Sequence, residues 1–207
     1  MSKKGILTVV SGFSGSGKGT VMSGLLKAHS EYALSVSATT RDPRPGEVHG
    51  VNYFFVSKEE FREMISGDAL YEYAEYSGNF YGTPKAYVDQ CLSEGKDVIL
   101  EIEVQGAAKI KEQFPDTVLI FVTPPTVEEL FRRLTGRGSE SPEKISERMK
   151  NAVREAGSMQ IYDYILVNDD LDECVEALHG IISTEHRRAS RNRQLIDTIT
   201  EEFERIR

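Results

Sequence analysis

The sequence predicts an α/β fold in which helices cover both faces of a five-stranded, largely parallel sheet. Five short apolar runs have the length of strands buried on both faces, at residues 6–10, 34–36, 98–102, 118–122 and 164–167. Helical periodicity separates them, at residues 20–28, 84–93, 106–113, 126–135, 142–159 and 172–186. Strands that alternate with helices form βαβ units, and ligands bind at the carboxyl ends of such strands. A functional site is therefore expected where the strands end.

Several predicted helices begin with a capping signal. Ser57 and Thr126 each stand three residues before a glutamate, which is the pattern of a capping box. Thr83 and Ser141 each precede a proline, so that a capping hydroxyl is followed by a residue whose missing N–H costs nothing in the first turn. These signals predict helix starts next to each of the four residues.

Two stretches interrupt the alternation and divide the chain. Residues 37–83 are polar and rich in tyrosine and turns, with strand-like runs at 53–56 and 69–76 around a short helix at 57–66, which predicts a small mixed α/β insert. Residues 132–150 carry six basic side chains around a glycine-containing turn and predict a helical lid. The core then comprises residues 1–36, 84–131 and 151–207, the last with the C-terminal helices.

Composition limits the classes of function. The chain has 33 acidic and 25 basic residues and a net charge of −8, which argues against binding nucleic acid through the overall field. Cys91 and Cys174 lie far apart and form no CxxC pair, so we interpret them as buried thiols in a reducing cytoplasm rather than as a disulfide. No apolar run approaches the length of a membrane span or of a secretory signal. A cytoplasmic protein without nucleic-acid or membrane partners is expected.

The segment after the first predicted strand has the P-loop pattern GxxxxGK, which forms a phosphate cradle. Its glycines let backbone N–H groups approach an anion, Lys18 adds a positive charge, and the following helix directs its positive end to the same place. A turn unrelated to phosphate would also use glycines. The candidate residues for a nucleoside triphosphate are Gly12, Phe13, Ser14, Gly15, Ser16, Gly17, Lys18, Gly19 and Thr20.

A second basic segment contains Arg41 and Arg44. Prolines at positions 43 and 45 stiffen the backbone, so the two guanidinium groups can be held at a fixed separation. Together with the hydroxyl of Tyr53 they suit a phosphate monoester better than a carboxylate. A solvated basic turn is the alternative interpretation, and the segment alone does not decide between them.

A third group consists of Glu72, Tyr81 and Thr83. Gly78 and Asn79 form a hairpin signal that would bring the two arms of this segment together. A carboxylate in such aromatic surroundings can accept hydrogen bonds from the N1–H and N2–H₂ groups of guanine, whereas adenine would oppose it with a bare N1 lone pair. The alternative is a tyrosine-rich sheet face with the carboxylate in solvent.

Two acids, Glu101 and Glu103, lie at the end of the third apolar run. A carboxylate after a buried strand is the Walker B pattern, which orients Mg²⁺ or its water ligands beside a phosphate cradle. Alternation along a strand sends both side chains to the same side, so one can face the metal and the other the substrate. Ordinary charges at the edge of the sheet are the alternative.

Six motifs in order resemble the guanylate kinase family over nearly the entire chain: GFSGSGKGT, TTRDPRPGEVHGVNYFF, EYAEYSGNFYGT, LEIEVQG, RRLTGRG and VNDDLD. The resemblance implies a P-loop NTPase-type fold with a small mixed insert that binds the nucleoside monophosphate and with a helical lid. It implies transfer of the γ-phosphoryl group of ATP to GMP, giving ADP and GDP. ATP and GMP are the implied partners, while dGMP as a second acceptor and the oligomeric state stay open.

The resemblance also implies roles for individual residues. The GMP phosphate would be held by Arg41, Arg44, Tyr53 and Tyr81. Guanine would be read by Ser37, Glu72, Thr83 and Glu103. Lys18 and the cradle amides would hold the ATP phosphates, Asn168 would lie near the adenine, and the lid would close with Arg133, Arg137 and Arg148. The catalytic candidates are therefore Lys18, Arg41, Arg133, Arg137 and Arg148.

Two departures from the family pattern bear on the metal. Glu101 and Glu103 stand where the family often has aspartate, and Gly19 replaces the hydroxyl residue that would hold Mg²⁺, as in adenylate kinase loops. We therefore expect Mg²⁺ to be held mainly by ATP oxygens and water, with Thr20 and Glu101 as protein contacts. Because the attacking phosphate is already ionised, no general base is needed, and the four histidines are interpreted as surface or helix-face residues.

Two other functions compete with this one. A non-catalytic binding module could use the same fold, but the intact Lys18 and the lid arginines argue against it. A P-loop kinase for AMP, UMP or a non-nucleotide alcohol is disfavoured by Ser37 and Glu72 at the guanine-reading positions. The basic segment at residues 187–193 is interpreted as a solvated helix face rather than as a nucleic-acid contact.

Overall fold

Nine strands and eight helices make up the described part of the chain, residues 4–76, 78–136 and 141–206 of a computed structural model. In chain order they are β1 (Leu7–Gly12), α1 (Lys18–Ala28), β2 (Tyr32–Leu34), β3 (Ala38–Thr39), β4 (Phe54–Phe55), α2 (Lys58–Ser66), β5 (Leu70–Tyr76), β6 (Asn79–Pro84), α3 (Lys85–Ser93), β7 (Asp97–Glu101), α4 (Val104–Gln113), β8 (Val118–Thr123), α5 (Val127–Thr135), α6 (Pro142–Ala156), β9 (Tyr164–Val167), α7 (Leu171–Glu185) and α8 (Arg193–Glu204).

The central sheet is parallel and five-stranded, as predicted, and its strands lie in the order β2, β7, β1, β8 and β9. β1 lies in the middle, where Val9 is in register with Leu100 of β7 and with Leu119 of β8. The second strand begins at Tyr32, two residues before the predicted run. The carboxyl ends of β1 and β7, which carry the cradle and the acid pair, therefore lie side by side.

Alternation along the strands divides the core into two layers. On one face, Val9 and Leu100 pack with buried residues of α3, α4 and α5. On the other face, Val10 and Ile120 pack with buried residues of α1 and α7. Each central strand thus contributes to both layers, which explains why it appears in the sequence as a continuous apolar run.

A second, four-stranded sheet forms the predicted insert, in the order β4, β3, β6 and β5. Its small core surrounds Phe61 of α2, which is fully buried. The hairpin signal is confirmed, since β5 and β6 pair antiparallel with Tyr76 opposite Asn79, and Gly78 has φ of 76°. The sequence did not predict β3, because two residues are too short for a periodic pattern.

The capping predictions have mixed outcomes. Ser57 forms the complete capping box, with its hydroxyl accepting the Glu60 N–H at 3.1 Å. Thr126 accepts the Glu129 N–H at 3.1 Å, but the Glu129 carboxylate pairs with two arginines instead of returning to the cap. Ser141 makes no side-chain cap hydrogen bond.

The prediction that Thr83 caps a helix was wrong. α3 has Pro84 as its N-cap residue, and the Thr83 hydroxyl donates to the carboxylate of Glu72 at 2.9 Å. β6 continues to Pro84, and the Lys85 N–H that a capping hydroxyl would accept donates instead to the Ala69 carbonyl at 2.9 Å. Thr83 therefore belongs to the candidate site.

The C-terminal part departs from the predicted helices. α6 ends at Ala156, and a 3₁₀ turn, Met159–Ile161, follows before β9. The basic segment forms a second 3₁₀ turn, Ala189–Arg191, rather than a helix face, because Arg191 turns back to the Glu185 carboxylate and the Asp116 carbonyl. Within the described residues, no helix is both long and apolar enough to cross a bilayer.

The packing of Ile120 gives a test of the two-layer core. Ile120 is fully buried in the layer that contains α1 and α7. Ile120→Ala should lower the free energy of unfolding by about 2–5 kcal/mol, and Ile120→Val by only about 0.5–1.5 kcal/mol, because the cost grows with the cavity. Urea unfolding followed by circular dichroism measures both. Equal losses for the two variants would contradict close packing at this position.

Candidate active site

The cradle begins where β1 ends at the carboxyl edge of the central sheet. Gly12 and Gly17 have φ of 152° and 90°, and α1 starts directly after them at Lys18. A Cβ on Gly12 would lie 2.1 Å from the carbonyl oxygen of Val122, so no other residue fits beside β8. The loop is thus a left-handed turn that presents its N–H groups and the positive end of α1 to one place.

The Ser16 carbonyl ties this loop to the neighbouring strands. It accepts a hydrogen bond from the side-chain amide of Asn168 at 2.8 Å and one from Arg133 at 3.4 Å. Asn168 is only 7 % exposed, and its own N–H donates to the Thr123 carbonyl at 2.8 Å. The amide of Asn168 therefore fixes the shape of the cradle from behind.

Lys18 lies at the opening of the cradle. Its ammonium group donates to the carbonyl oxygens of Gly12 at 2.7 Å and Phe13 at 3.2 Å. These two bonds fold the side chain back over the loop, so that a positive charge stands above the inward-pointing N–H groups. The hydroxyl of Ser16 is buried and makes no hydrogen bond within the described chain, which leaves a polar atom in the loop for a ligand.

Arg41 is held by a carboxylate that the sequence analysis did not single out. Its two terminal nitrogens donate to the two oxygens of Glu47 at 2.9 and 3.0 Å, and Glu47 also accepts the Arg44 N–H at 2.7 Å. The hydrogen bonds to Glu47 raise the pKa of Arg41, and those from Arg41 and Arg44 lower the pKa of Glu47. This bidentate pair closes residues 41–47 into a rigid turn.

Aromatic side chains support the guanidinium from the other side. Arg41 lies 5.4 Å from the ring centre of Tyr53 and 5.8 Å from that of Phe55. Tyr53 and Tyr81 meet edge to face with centroids 6.1 Å apart. The structure thus brings together Arg41, Tyr53 and Tyr81, while the Arg44 side chain is exposed at the rim of the same turn.

Glu72 occupies a buried pocket between the insert and the core. Its side chain is 9 % exposed, and burial raises the pKa of its carboxyl, against the effects of the Thr83 hydroxyl and Lys109. A Cβ on Gly106 would lie 3.1 Å from the second carboxylate oxygen, so glycine there leaves this oxygen room. The alternative, in which Glu72 points to solvent from a tyrosine-rich sheet face, is thereby excluded.

The insert is joined to the core beside this pocket. Lys109 of α4 donates to the Tyr73 carbonyl of β5 at 3.1 Å and lies 5.6 Å from the Tyr73 ring centre. Ser37 sits half-buried at the entry to the insert, where its carbonyl accepts the Phe54 N–H at 2.9 Å. The hydrogen bond from α4 holds the pocket next to the end of β7.

Three carboxylates and one ammonium group meet at the end of β7. Partial desolvation raises the pKa of Glu101, Lys18 opposes this shift, and Glu103 adds to it. Burial and Glu103 likewise raise the pKa of Glu155 at the end of α6, where one carboxylate oxygen is buried without a partner among the described residues. Glu155 was not predicted, since no motif marks it within a long polar helix.

The predicted lid arginines differ in their positions. Arg133 pairs with Glu129 at 2.6 Å and also donates to the Asn168 carbonyl at 2.9 Å, while Leu130 and Leu134 of the same helix are buried in the core. Arg148 of α6 donates to the Ser14 hydroxyl at 3.2 Å. Both arginines thus reach the cradle, and Arg137 lies outside the described residues.

The comparisons with known proteins agree on one family. The guanylate kinase family profile matches residues 4–185. The chain belongs to the guanylate kinase family. The guanylate kinase of Caldanaerobacter subterraneus subsp. tengcongensis is 49 % identical over 98 % of this chain and 98 % of its own. The guanylate kinase of Clostridioides difficile is 52 % identical over 94 % of this chain and 95 % of its own. A crystal structure of guanylate kinase from Anaplasma phagocytophilum has a TM-score of 0.76 at 35 % identity and covers 95 % of this chain and 96 % of its own.

Membership in the guanylate kinase family indicates which sites the geometry must provide. Phosphorylation of GMP requires a triphosphate site, a monophosphate site and a guanine site that face one another. The cradle, the turn around Arg41 and the pocket of Glu72 are the candidates for these three sites. The sequence analysis did not predict two residues of the site. Glu47 pairs with the predicted Arg41, and Glu155 lies near the predicted Glu103, whose charge raises the pKa of Glu155.

The cradle geometry can be tested with two matched glycine variants. A Cβ on Gly17 would lie 2.4 Å from the Asn168 amide nitrogen and would have to adopt φ of 90°, whereas a Cβ on Gly19 meets nothing within 4 Å. Gly17→Ala should therefore lower stability by about 1 kcal/mol or more, while Gly19→Ala, in a helix, should leave it unchanged or raise it. Thermal unfolding compares them. Equal melting temperatures for Gly17→Ala and the parent protein would refute the locked cradle.

Proposed function

We propose that this protein transfers the γ-phosphoryl group of ATP to GMP through the residues described above. The observation that carries the proposal is the buried Glu72 carboxylate, bonded to Thr83, beside a clamp formed by Arg41 and the two tyrosines. A pocket with one carboxylate and one hydroxyl matches the donor edge and the carbonyl of guanine. Adenine would leave the carboxylate without a donor, which costs several kcal/mol on the scale of unpaired buried groups.

The donor nucleotide lies with its phosphates in the cradle. The loop N–H groups and the positive end of α1 bind the phosphate oxygens, and Lys18 moves from its carbonyl partners to the β- and γ-phosphates. Asn168 donates a hydrogen bond to the Ser16 carbonyl. From this position it would also lie near the adenine of ATP. Arg133, Arg137 and Arg148 neutralise the charge of the transferred group from the lid side.

The acceptor lies in the insert. Arg41, Arg44, Tyr53 and Tyr81 hold the phosphate of GMP, and Ser37, Glu72, Thr83 and Glu103 contact the base. Two guanine N–H groups would replace the water that burial removes from Glu72 and would thereby favour its charged form. The same contacts do not involve the ribose 2′-hydroxyl, so dGMP should also be accepted.

The reaction needs positioning and charge rather than a base. An oxygen of the GMP phosphate, ionised above a pKa of about 6, attacks the γ-phosphorus in line, and the bond to the bridging oxygen of ADP breaks. Lys18 and the arginines stabilise the equatorial oxygens, while Arg41 and its partners keep the acceptor oxygen at the attack distance. The insert and lid exclude water, which would otherwise receive the phosphoryl group.

Glu101 at the end of β7 and Thr20 in α1 are suitable ligands for Mg²⁺. Glu101 offers a carboxylate and Thr20, exposed in the first turn of α1, offers a hydroxyl, both hard oxygen ligands of the kind that Mg²⁺ prefers. Glu101 and Thr20 would hold the ion directly or through water, with ATP oxygens as the other ligands. The ion would neutralise charge on the phosphates. Two buried free thiols, Cys91 and Cys174, favour the cytoplasm as the location.

A substrate panel tests the proposed reaction. The full-length protein is incubated with ATP and Mg²⁺, and ADP release is compared for GMP, AMP, UMP and no acceptor. GMP should give rates well above all others. Lys18→Ala should lower turnover by roughly a hundredfold or more, as when one preorganised charge donor is lost. Lys27→Ala, an exposed lysine on the same helix, is the matched control and should retain turnover.

Two outcomes of the panel would contradict the proposal. ADP release that does not depend on the acceptor would indicate an ATPase, and a preference for AMP or UMP would indicate a different kinase. Full turnover of Lys18→Ala would remove the cradle from the mechanism even if GMP remained the preferred acceptor.

Glu72→Gln tests how guanine is read. The amide keeps the size of the side chain but places an NH₂ group against the donors of guanine, so kcat/KM for GMP should fall by at least a hundredfold while the KM for ATP changes little. Glu75→Gln, on the exposed side of the same strand, should leave both parameters unchanged. A parallel loss for ATP and GMP in Glu72→Gln would show that the residue supports the fold rather than the base.

A further inference from the structure

Two histidines and a glutamate converge at the end of the sheet opposite the cradle. Glu31 precedes β2, His29 ends α1, and His179 projects from the middle of α7. One Glu31 oxygen lies 3.8 Å from Nδ1 of His29 and 3.8 Å from Nδ1 of His179. One ligand atom from each of the three residues lies within 4.8 Å of the others. The phosphoryl-transfer reaction uses none of these residues.

We propose that His29, Glu31 and His179 bind a first-row divalent transition metal of the Zn²⁺ type. Imidazole nitrogens together with one carboxylate suit Zn²⁺, Co²⁺ or Ni²⁺, whereas Mg²⁺ and Ca²⁺ prefer oxygen ligands alone. Tetrahedral bonds of about 2.0–2.1 Å place ligand atoms about 3.4 Å apart. The two distances of 3.8 Å therefore need to shorten by only about 0.4 Å, and water would complete the coordination.

The surroundings of His29 support this assignment. Its second ring nitrogen, Nε2, lies 3.4 Å from a carboxylate oxygen of Glu176, one turn before His179 on α7. Metal-ligating histidines regularly donate their other N–H to a carboxylate, because this fixes the tautomer that leaves a lone pair toward the metal. The His29 and His179 rings stack at 3.9 Å with an angle of 7°. Because the lone pair of an imidazole lies in the plane of its ring, one of the two rings turns out of this stack when both bind the same ion.

Two features affect how strongly the metal should bind: how exposed the histidines are, and the hydrogen bond that the metal would replace. The side chains of His29 and His179 are 19 % and 28 % exposed, so an ion can enter from solvent without unfolding. The hydroxyl of Tyr32 contacts the same Nδ1 of His179 at 2.8 Å, and a bound metal would replace that hydrogen bond. The bound ion would tie the far end of the cradle helix α1 to β2 and α7.

Metal titration of the full chain tests the site. Calorimetry with Zn²⁺ and visible absorption with Co²⁺ should show one tight ion in a tetrahedral environment, and Zn²⁺ should raise the melting temperature. His29→Ala and His179→Ala should each weaken binding at least tenfold. Glu176→Gln should weaken it less, since it acts through His29. His49→Ala, a histidine of the insert outside the cluster, should bind as the parent protein does.

The variants also separate this site from the acids near Lys18, which could take up added metal. If Zn²⁺ binds to His29→Ala and His179→Ala as tightly as to the parent protein, the ion lies elsewhere and the proposal is wrong. Absence of binding to the parent protein at tens of micromolar Zn²⁺ would also overturn it. Melting temperatures measured in chelator establish that each variant is folded, and Glu31→Gln, which nearly preserves side-chain shape, repeats the test if a histidine variant is not.

Discussion

The rest of the site depends on a hydrogen bond from the buried Asn168 amide to the carbonyl of Ser16. The cradle leaves the sheet with positive φ angles, so its backbone groups cannot be satisfied by neighbouring strands. A buried carbonyl without a donor costs about 1–3 kcal/mol, and the loop would relax to avoid it. Asn168 supplies that donor from the end of β9, and Arg133 adds a second from α5. The N–H groups on the other side of the loop are consequently left to face a ligand.

Carboxylates place the cations of the site before a substrate arrives. Arg41 is held by Glu47, Arg133 by Glu129, and Lys18 stands near Glu101. The side chains of the two arginine pairs are only 15–21 % exposed, and the cost of desolvation offsets much of the attraction between the charges. Their contribution is therefore geometric, because each guanidinium group has lost much of its side-chain freedom. In a chain with a net charge of −8, the overall field repels anions, so the proposed binding of nucleotides depends on such local arrangements.

The sequence predicted the central sheet because each strand buried on both faces is a continuous apolar run, and it predicted the cradle because its spacing is specific. Contacts between side chains that are far apart in the sequence were harder to predict. Thr83 carries an ordinary capping signal, yet its hydroxyl bonds a carboxylate eleven positions away. Glu47 lies in the same segment as Arg41 and Arg44, but only the folded turn shows that both of its carboxylate oxygens accept hydrogen bonds from Arg41. Three of the histidines had no motif at all, and tertiary packing brought His29 and His179 together.

If Arg41 holds the acceptor phosphate, as proposed, its pairing with Glu47 has a consequence for binding GMP. A bidentate guanidinium pair presents both terminal nitrogens to one partner, and a phosphate dianion seeks the same two nitrogens. GMP must therefore approach the remaining N–H groups of Arg41 or displace Glu47, in which case the Arg44 N–H still retains that carboxylate. Either arrangement keeps residues 41–47 closed, because Glu47 bonds the turn at two points. The carboxylate thus lowers the entropy lost when the phosphate binds, at the expense of some direct attraction between Arg41 and the anion.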